Sequence, residues 1–155
     1  MVTPLVKVQA DDFDQGAEIH KLTDGRHDIG AVATFTGLCR SEGDTLSALE
    51  LEHYPGMAEA EIERSANEAI KRWPIDGLTV IHRYGVIQPG EQIVLVIATS
   101  RHRDAAFDGA RYVMDFLKTN APFWKKEHQA DGAEGSWVDA KESDEAARQR
   151  WEDDA

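Results

Sequence analysis

The stretch that decides the fold is "GLTVIHRYGVIQPGEQIVLVIATS", residues 77–100. It holds two runs rich in aliphatic and β-branched residues, "GLTVIHRYG" and "EQIVLVIATS", and such runs are typical of strands. The letters that link them, "QPGE", combine proline and glycine as tight turns do. We therefore predict two strands joined by this turn.

Further strands are predicted on both sides of this pair. "DIGAVATFTG", residues 28–37, has the valine, alanine and threonine content of a buried strand that stops at Gly37. "RSEGDT", residues 40–45, is predicted to be a mobile loop, and the "LSALELEHY" that follows it alternates well enough for a strand. "PLVKVQ" near the N-terminus and "GSWVDA" near the C-terminus are predicted to be short strands.

Three segments show the apolar spacing of helices. The first is predicted from Asp14, a suitable N-cap, to about Leu22. The second covers residues 57–73 and is ended by Pro74, and the third covers residues 103–119. Their apolar faces comprise Ile62, Ala66, Ala69, Ile70 and Trp73 in the second, and Ala106, Phe107, Ala110, Val113, Met114 and Leu117 in the third. The methionine of the third face is therefore expected in the core.

Strands interleaved with helices predict an α/β or α+β fold, in which a mixed sheet is packed on one side by helices. The 155 residues suffice for one core, so a single domain over residues 1–155 is expected. An acidic C-terminal tail starts at about residue 141 and keeps a helical pattern through Trp151. The patterns GxGxxG and GxxxxGK are absent, which disfavours Rossmann and P-loop domains.

Composition limits the partners and the compartment. A net charge of −12 disfavours nucleic acid and anionic membranes over most of the surface. No apolar run approaches the ~20 residues of a membrane helix, and the N-terminus lacks a basic start before an apolar stretch, so we expect a cytoplasmic protein. Cys39 is the only cysteine and the six histidines lack HExxH spacing, so neither a disulfide nor a metal site is expected.

Positive charge is concentrated in one part of this acidic chain. Between Arg101 and His128 six basic residues stand against four acidic ones, whereas the remainder has eleven basic and twenty-five acidic residues. Arg40, His102 and Arg103 follow the ends of predicted strands, where loops gather side chains into pockets. We expect them to converge with nearby lysines on a small anionic substrate. The alternatives are a solvated loop arginine and, for the other two, a helix start in water.

The segment "FLKTNAPFWKKE", residues 116–127, places lysines on both sides of a proline. Pro122 moves the preceding residue out of helical geometry, so the chain is predicted to turn just after Lys118. Lys118 and Lys125 could then face each other across the bend, with the aromatic pair "FW" shielding it from water. A desolvated ammonium close to other cations can serve as a base or nucleophile. An ordinary surface lysine is the alternative for Lys118.

Six blocks of the sequence carry a resemblance to a known family. They are, in order over nearly the whole chain, "GAVATFTGLCR", "LELEHYPGMAE", "IHRYGVIQPGE", "ATSRHRDAAF", "MDFLKTNAPFWKKE" and "GSWVDAKESD". With these blocks the sequence resembles the large, catalytic subunit of molybdopterin synthase. So many ordered blocks make the resemblance specific.

The resemblance implies an α/β hammerhead fold and a sulfurtransferase activity. The substrate would be cyclic pyranopterin monophosphate, which gains two sulfurs to form the dithiolene of molybdopterin. Sulfur would arrive as a thiocarboxylate on the C-terminal Gly-Gly of a small ubiquitin-like partner. The assembly would be a central homodimer with one small subunit at each end, a heterotetramer, and it would need no resident cofactor.

The same resemblance implies roles for individual residues. Arg40, His102 and Arg103 would hold the substrate phosphate, and Lys118 and Lys125 would lie at the reaction centre. Further residues assigned to the substrate pocket are Leu38, Cys39, Lys126 and Glu127.

Two residues of these blocks are expected to have structural roles. Cys39 is not required as a sulfur carrier and fits as a small residue at a strand end. His82 lies among apolar neighbours on a predicted strand, so we predict a structural, hydrogen-bonded histidine.

The expected chemistry is attack of the thiocarboxylate sulfur on the pterin side chain, followed by release of the partner's glycine as a carboxylate. One lysine would move protons and another would stabilise negative charge. The alternatives are a phosphate-ester hydrolase or transferase that uses the same basic pocket, and a noncatalytic module that binds a Gly-Gly tail.

Overall fold

The computed structural model describes residues 2–41, 46–120, 123–129, 137–138 and 151. The helices are α1 (Gln15–Thr23), α2 (Met57–Arg72) and α3 (Arg103–Thr119). The strands are β1 (Leu5–Gln9), β2 (Ala31–Leu38), β3 (Leu46–His53), β4 (Gly77–Arg83), β5 (Gly85–Ile87), β6 (Gln92–Ser100), β7 (Phe123–Gln129) and β8 (Trp137–Val138).

The strands form two four-stranded sheets. The first sheet has the order β1-β4-β6-β2, in which β1 and β4 are parallel and the other neighbours are antiparallel. The second sheet has the order β5-β3-β7-β8 and is antiparallel throughout. The mixed α/β fold class is confirmed, but the sequence patterns did not separate the strands into two sheets.

Helices cover both faces of the first sheet. On one face α2 and α3 pack on Leu78 and Val80 of β4 and on alternate residues of β6. On the other face α1 contributes Ile19 and Leu22 to a cluster with Ile81 of β4. The prediction that helices pack on one side only is therefore wrong. Because successive residues of a strand point to opposite faces, the continuous aliphatic runs of β4 and β6 are those of strands buried on both sides.

The second sheet has a small core of its own and contains two strands that sequence analysis missed. Its buried residues are Leu49 and Leu51 of β3, Ile87 of β5, and Cys39 just beyond β2. β5 is only three residues long, and β7 lies within the segment predicted as a bend. The "QPGE" turn consequently joins β5 to β6, not β4 to β6.

Most helix predictions are confirmed. The Asp14 carboxylate caps α1 by accepting a hydrogen bond from the backbone N–H of Ala17 at 3.0 Å. Met114 is buried in the main core as expected. Phe107 was assigned to the apolar face of α3, but its side chain is 63% exposed because it lies at the margin of the buried stripe.

Strand β2 differs from its prediction. It is one of the two edge strands of the first sheet; of its residues only Ala33 is buried, and Val32 and Phe35 are exposed. It also continues past Gly37 to Leu38, with a shift in register against β6 between these two residues. Apolar content alone could not distinguish an edge strand from a central one.

The acidic tail from about residue 141 lies outside the described residues except for Trp151. Its indole ring packs edge-to-face on Trp73 and Tyr112, with centroid distances of 5.5 and 5.7 Å. The indole N–H donates a hydrogen bond to the Asp115 carboxylate. This part of the tail is therefore packed against α2 and α3. None of the helices in the described ranges is long and apolar enough to cross a membrane.

Gly30 precedes β2 at a point where two backbone segments come very close. A Cβ added there would lie 2.2 Å from the carbonyl oxygen of Arg101. We expect Gly30→Ala to lower the free energy of unfolding by about 1–3 kcal/mol, because the backbone at Arg101 must move. Urea unfolding measures this change. Gly16→Ala is the control, since its Cβ would meet only Asp14 Oδ1 at 3.5 Å, and equal stability of the two variants would contradict the prediction.

Candidate functional site

The two predicted catalytic lysines lie at one end of the first sheet, near His82 of β4. Lys118 is on the last turn of α3 and is exposed, whereas Lys125 is on β7 and is partly buried. The positive charges of both lysines lower the pKa of His82, so both ammonium groups act on the same ring. We call this region the lysine end of the first sheet. The structure thus brings together the pair that the sequence placed on either side of a bend.

His82 is a neutral histidine held inside the protein. Its side chain is 8% exposed, and its Nδ1 lies 2.8 Å from the backbone carbonyl oxygen of Arg83. Burial lowers the pKa of His82 to about 4; the hydrogen bond to Arg83 opposes this effect, and the charges of Lys125, Lys118 and His53 add to it. The prediction of a structural, hydrogen-bonded histidine is confirmed. The electrostatic effect of both lysines on its pKa was not anticipated.

Aromatic rings extend from His82 toward the second sheet. The Phe123 ring stacks on the imidazole with a centroid distance of 3.8 Å and an interplanar angle of 14°. His53 lies 6.1 Å from Phe123 and 4.4 Å from Tyr84, measured between ring centroids. Phe123 therefore shields this end from water as predicted, but Trp124 is 50% exposed and does not. The bend at Pro122 itself lies outside the described residues.

Alternation along β7 separates residues that the sequence analysis had grouped. Lys125 pairs with Leu51 and Glu127 with Leu49, and both leucines are buried, so these two charged residues share the inner face of the second sheet. Lys126 falls on the opposite face. There its charge lowers the pKa of Glu50, after the larger effect of the hydrogen bond from His128 to Glu50. The structure does not bring Lys126 together with Lys125.

The end of β2 also lies at the lysine end. Leu38 is exposed, Arg40 follows it on the surface, and Cys39 between them is buried. Burial raises the pKa of the Cys39 thiol, and the negative charges of Glu91 and Glu127 add to this effect. The thiol is therefore protonated at neutral pH and is a weak nucleophile. Its predicted place as a small residue at a strand end is confirmed.

His102 and Arg103 lie at the opposite end of the first sheet. His102 is the N-cap residue of α3 and Arg103 is its first residue, where the helix was predicted to start, and both are exposed. β2 and β6 are antiparallel, with Ala31 opposite Ser100 and Leu38 opposite Gln92. Nine residues of β6 therefore separate the two ends, which is roughly 26 Å at the usual rise of a strand.

Within one chain, Arg40 therefore does not converge with His102 and Arg103. Arg40 lies at the lysine end, and His102 and Arg103 do not. Lys118 is separated from Arg103 by the length of α3, about 22 Å at 1.5 Å per residue. The sequence could not show this separation, because both sets of residues follow strands and only the antiparallel pairing assigns them to different ends.

Sequence analysis missed His53 and Tyr84 as parts of the lysine end. The sequence held one signal for this region. Leu78, Val80 and His82 lie on the same face of β4, so the imidazole of His82 interrupts an otherwise aliphatic pattern. The partners of that imidazole come from α3, β3 and β7, which are distant in sequence. Their proximity is a property of the tertiary structure.

A cavity of about 340 Å³ lies between α2 and α3, where Tyr112, Phe116 and Trp151 form part of its wall. No predicted site residue lines it. Within the residues that the structure describes, no group of three histidine, cysteine, aspartate or glutamate side chains could hold a metal ion. The chemistry that this site can perform is that of two ammonium groups next to a neutral imidazole.

Comparison with known proteins identifies the family. Residues 8–120 match the family of the MoaE protein. The molybdopterin synthase catalytic subunit of Mesorhizobium japonicum is 64% identical over 151 residues, which cover 97% of this chain and 95% of the relative. The corresponding subunit of Brucella melitensis is 62% identical over 148 residues, covering 96% and 91%.

A solved structure agrees with these sequence matches. The molybdopterin biosynthesis MoaE protein of Burkholderia ambifaria superimposes with a TM-score of 0.82 at 46% identity, covering 97% of this chain and 99% of that one. The fold is thus that of an α/β enzyme subunit. Its third helix ends at a lysine that lies close to the second sheet. The chain belongs to the MoaE family of molybdopterin synthase catalytic subunits. The resemblance carried by the six sequence blocks is confirmed.

The lowered pKa of His82 predicts how stability depends on pH. Below pH 6.5 the unfolded chain takes up a proton on this histidine, but the folded chain does so only near pH 4. Stability present at neutral pH is therefore lost as the pH falls through this window, by about 3 kcal/mol. We expect urea unfolding of His82→Phe to show a smaller loss between pH 6.5 and 4. The control is His20→Gln, an exposed histidine, and equal pH slopes for wild type and His82→Phe would refute the assignment.

Proposed function

We propose that the lysine end is the reaction centre at which this chain transfers sulfur to cyclic pyranopterin monophosphate. One observation carries the proposal: Lys118 of α3 and Lys125 of β7 both lower the pKa of the buried imidazole of His82, and Phe123, two residues before Lys125, stacks on that ring. Membership of the MoaE family supports the identity of the reaction. The sulfur donor we propose is the thiocarboxylate at the C-terminal Gly-Gly of a small ubiquitin-like partner.

The two ammonium groups suit the proposed chemistry. The thiocarboxylate sulfur attacks an oxygen-bearing carbon of the pterin side chain. A carbon–sulfur bond forms, the carbon–oxygen bond breaks, and the oxygen leaves with a proton from a lysine ammonium, which gives a thioester-like bond between partner and substrate. Water then attacks the acyl carbon, the acyl–sulfur bond breaks, sulfur stays on the pterin, and the partner's glycine leaves as a carboxylate. A lysine ammonium next to the acyl carbon stabilises the negative charge that develops on its oxygen. The second lysine carries protons to and from the substrate.

In this proposal the protein needs no resident cofactor. Arg40 and Glu127 border the reaction centre. Arg40 lies at the same end of the sheet, and Glu127 shares the inner face of β7 with Lys125. Leu38 is an exposed apolar residue at the same end, suited to contact with the substrate or the partner's tail. We also propose that the protein is cytoplasmic, as the sequence led us to expect.

We include a homodimer in the proposal because, within one chain, the cationic site residues lie at two opposite ends of the first sheet. His102 and Arg103 start a helix whose backbone N–H groups and side chains favour an anion, yet they lie roughly 26 Å from the lysine end. A second copy can supply them to the lysine end of the first if the two chains pack with twofold symmetry. Each dimer then has two composite sites and binds one small subunit at each, which gives a heterotetramer.

Lys118 is predicted to be the residue whose loss costs the most activity. In single-turnover assays with thiocarboxylated partner, Lys118→Ala should slow dithiolene formation on the order of 100-fold or more. Lys118→Arg should not restore the rate, because a guanidinium stays protonated. Lys125→Ala should give a smaller loss. Lys71, an exposed lysine on the last turn of α2, provides the matched control through Lys71→Ala and Lys71→Arg.

Each variant is first shown to be folded and to bind the partner. A normal rate for Lys118→Arg would mean that Lys118 contributes only positive charge. A wild-type protein that cleaves phosphate esters, or that binds the tail without transferring sulfur, would reject sulfur transfer as the function.

The composite site predicts complementation between two defective chains. Arg103→Ala should bind cyclic pyranopterin monophosphate about tenfold more weakly, because charge-assisted contacts to phosphate are lost, and His102→Ala and Arg40→Ala should act in the same direction. A mixed dimer of Lys118→Ala and Arg103→Ala chains has both defects in one site and none in the other. It should recover about half of the wild-type rate per dimer.

The mixed dimer is isolated by co-expression with two different tags, and light scattering checks its mass. Both parent homodimers serve as controls at a substrate concentration well below the Kd, where Lys118→Ala should be nearly inactive and Arg103→Ala about tenfold slower than wild type. A mixed dimer no faster than the Arg103→Ala homodimer would show that each site draws its residues from one chain.

A further inference from the structure

Strand β2 presents a long open edge. It lies at the margin of the first sheet, and within the part of the chain that the structure describes it pairs with β6 alone. Its outer row of backbone N–H and C=O groups can therefore pair with a strand of another chain. The other edge strands are protected: β1 has five residues that include Lys7, and β5 and β8 have three and two residues. Short length and charge are the usual protections of an edge.

The residues of β2 carry no such protection. None of its eight residues, "AVATFTGL", is charged or a proline. Val32, Phe35 and Leu38 are 41%, 43% and 56% exposed. A long, apolar edge strand promotes pairing between chains unless something covers it. In a chain of net charge −12, such an uncharged strand is also a place where two copies meet with little electrostatic repulsion.

We propose that two copies of this chain dimerise through β2, by antiparallel pairing of this strand with β2 of the second copy. Two identical antiparallel neighbours are related by a twofold axis perpendicular to the sheet, so one residue lies opposite its own copy. With Phe35 on the axis, Val32 of each copy lies opposite Leu38 of the other. All three exposed apolar side chains then meet apolar partners. The two four-stranded sheets become one sheet of eight strands.

The same pairing joins the two ends of the sheet that a single chain keeps apart. In this register Ala31 of the second copy lies opposite Cys39 of the first, and within its own copy Ala31 pairs with Ser100. Ser100 of the second copy is therefore two strand spacings from Cys39, which is about 10 Å. The corresponding ends of one chain are roughly 26 Å apart. The start of α3 in the second copy follows that serine, so its cations come close to Arg40.

This geometry is the reason for choosing a second copy as the occupant of the edge. The inference rests on the proposed function, because it identifies the surface that assembles the composite site. The alternative occupant is a strand of the small ubiquitin-like partner. That arrangement would leave His102 and Arg103 of every copy far from the lysine end.

Cysteine cross-linking tests the register of the two strands. Residues directly opposite each other in an antiparallel pair have Cα atoms about 4.5–5.5 Å apart, a distance that a disulfide spans. In a Cys39→Ala background, Phe35→Cys should therefore give a covalent dimer on mild oxidation. Val32→Cys is the matched control, because Val32 is similarly exposed on the same strand. Its two copies would lie six residues apart along the strands, about 20 Å, and should not cross-link.

A charge on the axis tests the surface itself. Phe35→Asp places two carboxylates opposite each other, so the dissociation constant of the dimer should rise by about 100-fold or more, as sedimentation measures. Val86→Asp is the control, since Val86 is an exposed apolar residue on the edge strand β5, and it should leave the dimer intact. The Phe35→Asp monomer should bind cyclic pyranopterin monophosphate about tenfold more weakly, as Arg103→Ala does, because the second copy no longer supplies its cations.

Four results would overturn the inference. They are a monomeric wild-type protein, a wild-type dimer in which Phe35→Cys does not cross-link, a dimer equally stable in Phe35→Asp and Val86→Asp, and a cross-link from Phe35→Cys to the small partner alone. The cross-linking result decides the matter if Phe35→Asp fails to fold. A Phe35→Cys dimer that forms in a protein without sulfur transfer would support the inference and count against the proposed function. Sulfur transfer by a dimer that lacks this cross-link would do the reverse.

Discussion

The return of α3 along the first sheet is the constraint on which the arrangement of the site depends. β6 ends at Ser100, and α3 starts three residues later and runs back over β6 and β2, because its stripe of buried residues covers the main core there. Gly109 leaves room for the side chain of Ile75, which follows α2, since a Cβ at that position would lie 2.5 Å from Ile75 Cδ1. The helix start and Lys118 are thereby held at opposite ends of the sheet. Cations that are neighbours in the positively charged segment of the sequence are thus far apart in the fold.

The lysine end shows a balance between stability and chemistry. A central strand gains stability from aliphatic residues, yet β4 carries an imidazole and β7 carries Lys125 and Glu127 on an inner face beside buried leucines. Polar groups in such places are costly unless their hydrogen bonds are satisfied. Local departures from the pattern that best stabilises a fold are expected at functional sites. The imidazole of His82 and the inner face of β7 are two such departures, and they meet at one place.

Alternation along β7 decides which of its charged residues can take part. Phe123, Lys125 and Glu127 share one face, while Trp124 and Lys126 share the other. A shift of one residue in the register with β3 would exchange these two sets. The buried leucines opposite Lys125 and Glu127 fix the register, because the alternative would expose them to water and bury the outer set. The packing of a small apolar core thus determines which lysine faces the reaction centre.

The sequence by itself determined the three helices, the capping of α1, the strands β1, β3, β4 and β6, and the family, since each depends on local periodicity or on ordered blocks. It also singled out Lys118 and Lys125. Only the tertiary structure decided that β2 is an edge strand, that "FWKKE" begins β7, and that His102 and Arg103 lie far from the lysine end. The physical reason is that pairing register, strand order and helix direction arise from contacts between residues distant in sequence. No local pattern encodes which end of a sheet a side chain will reach.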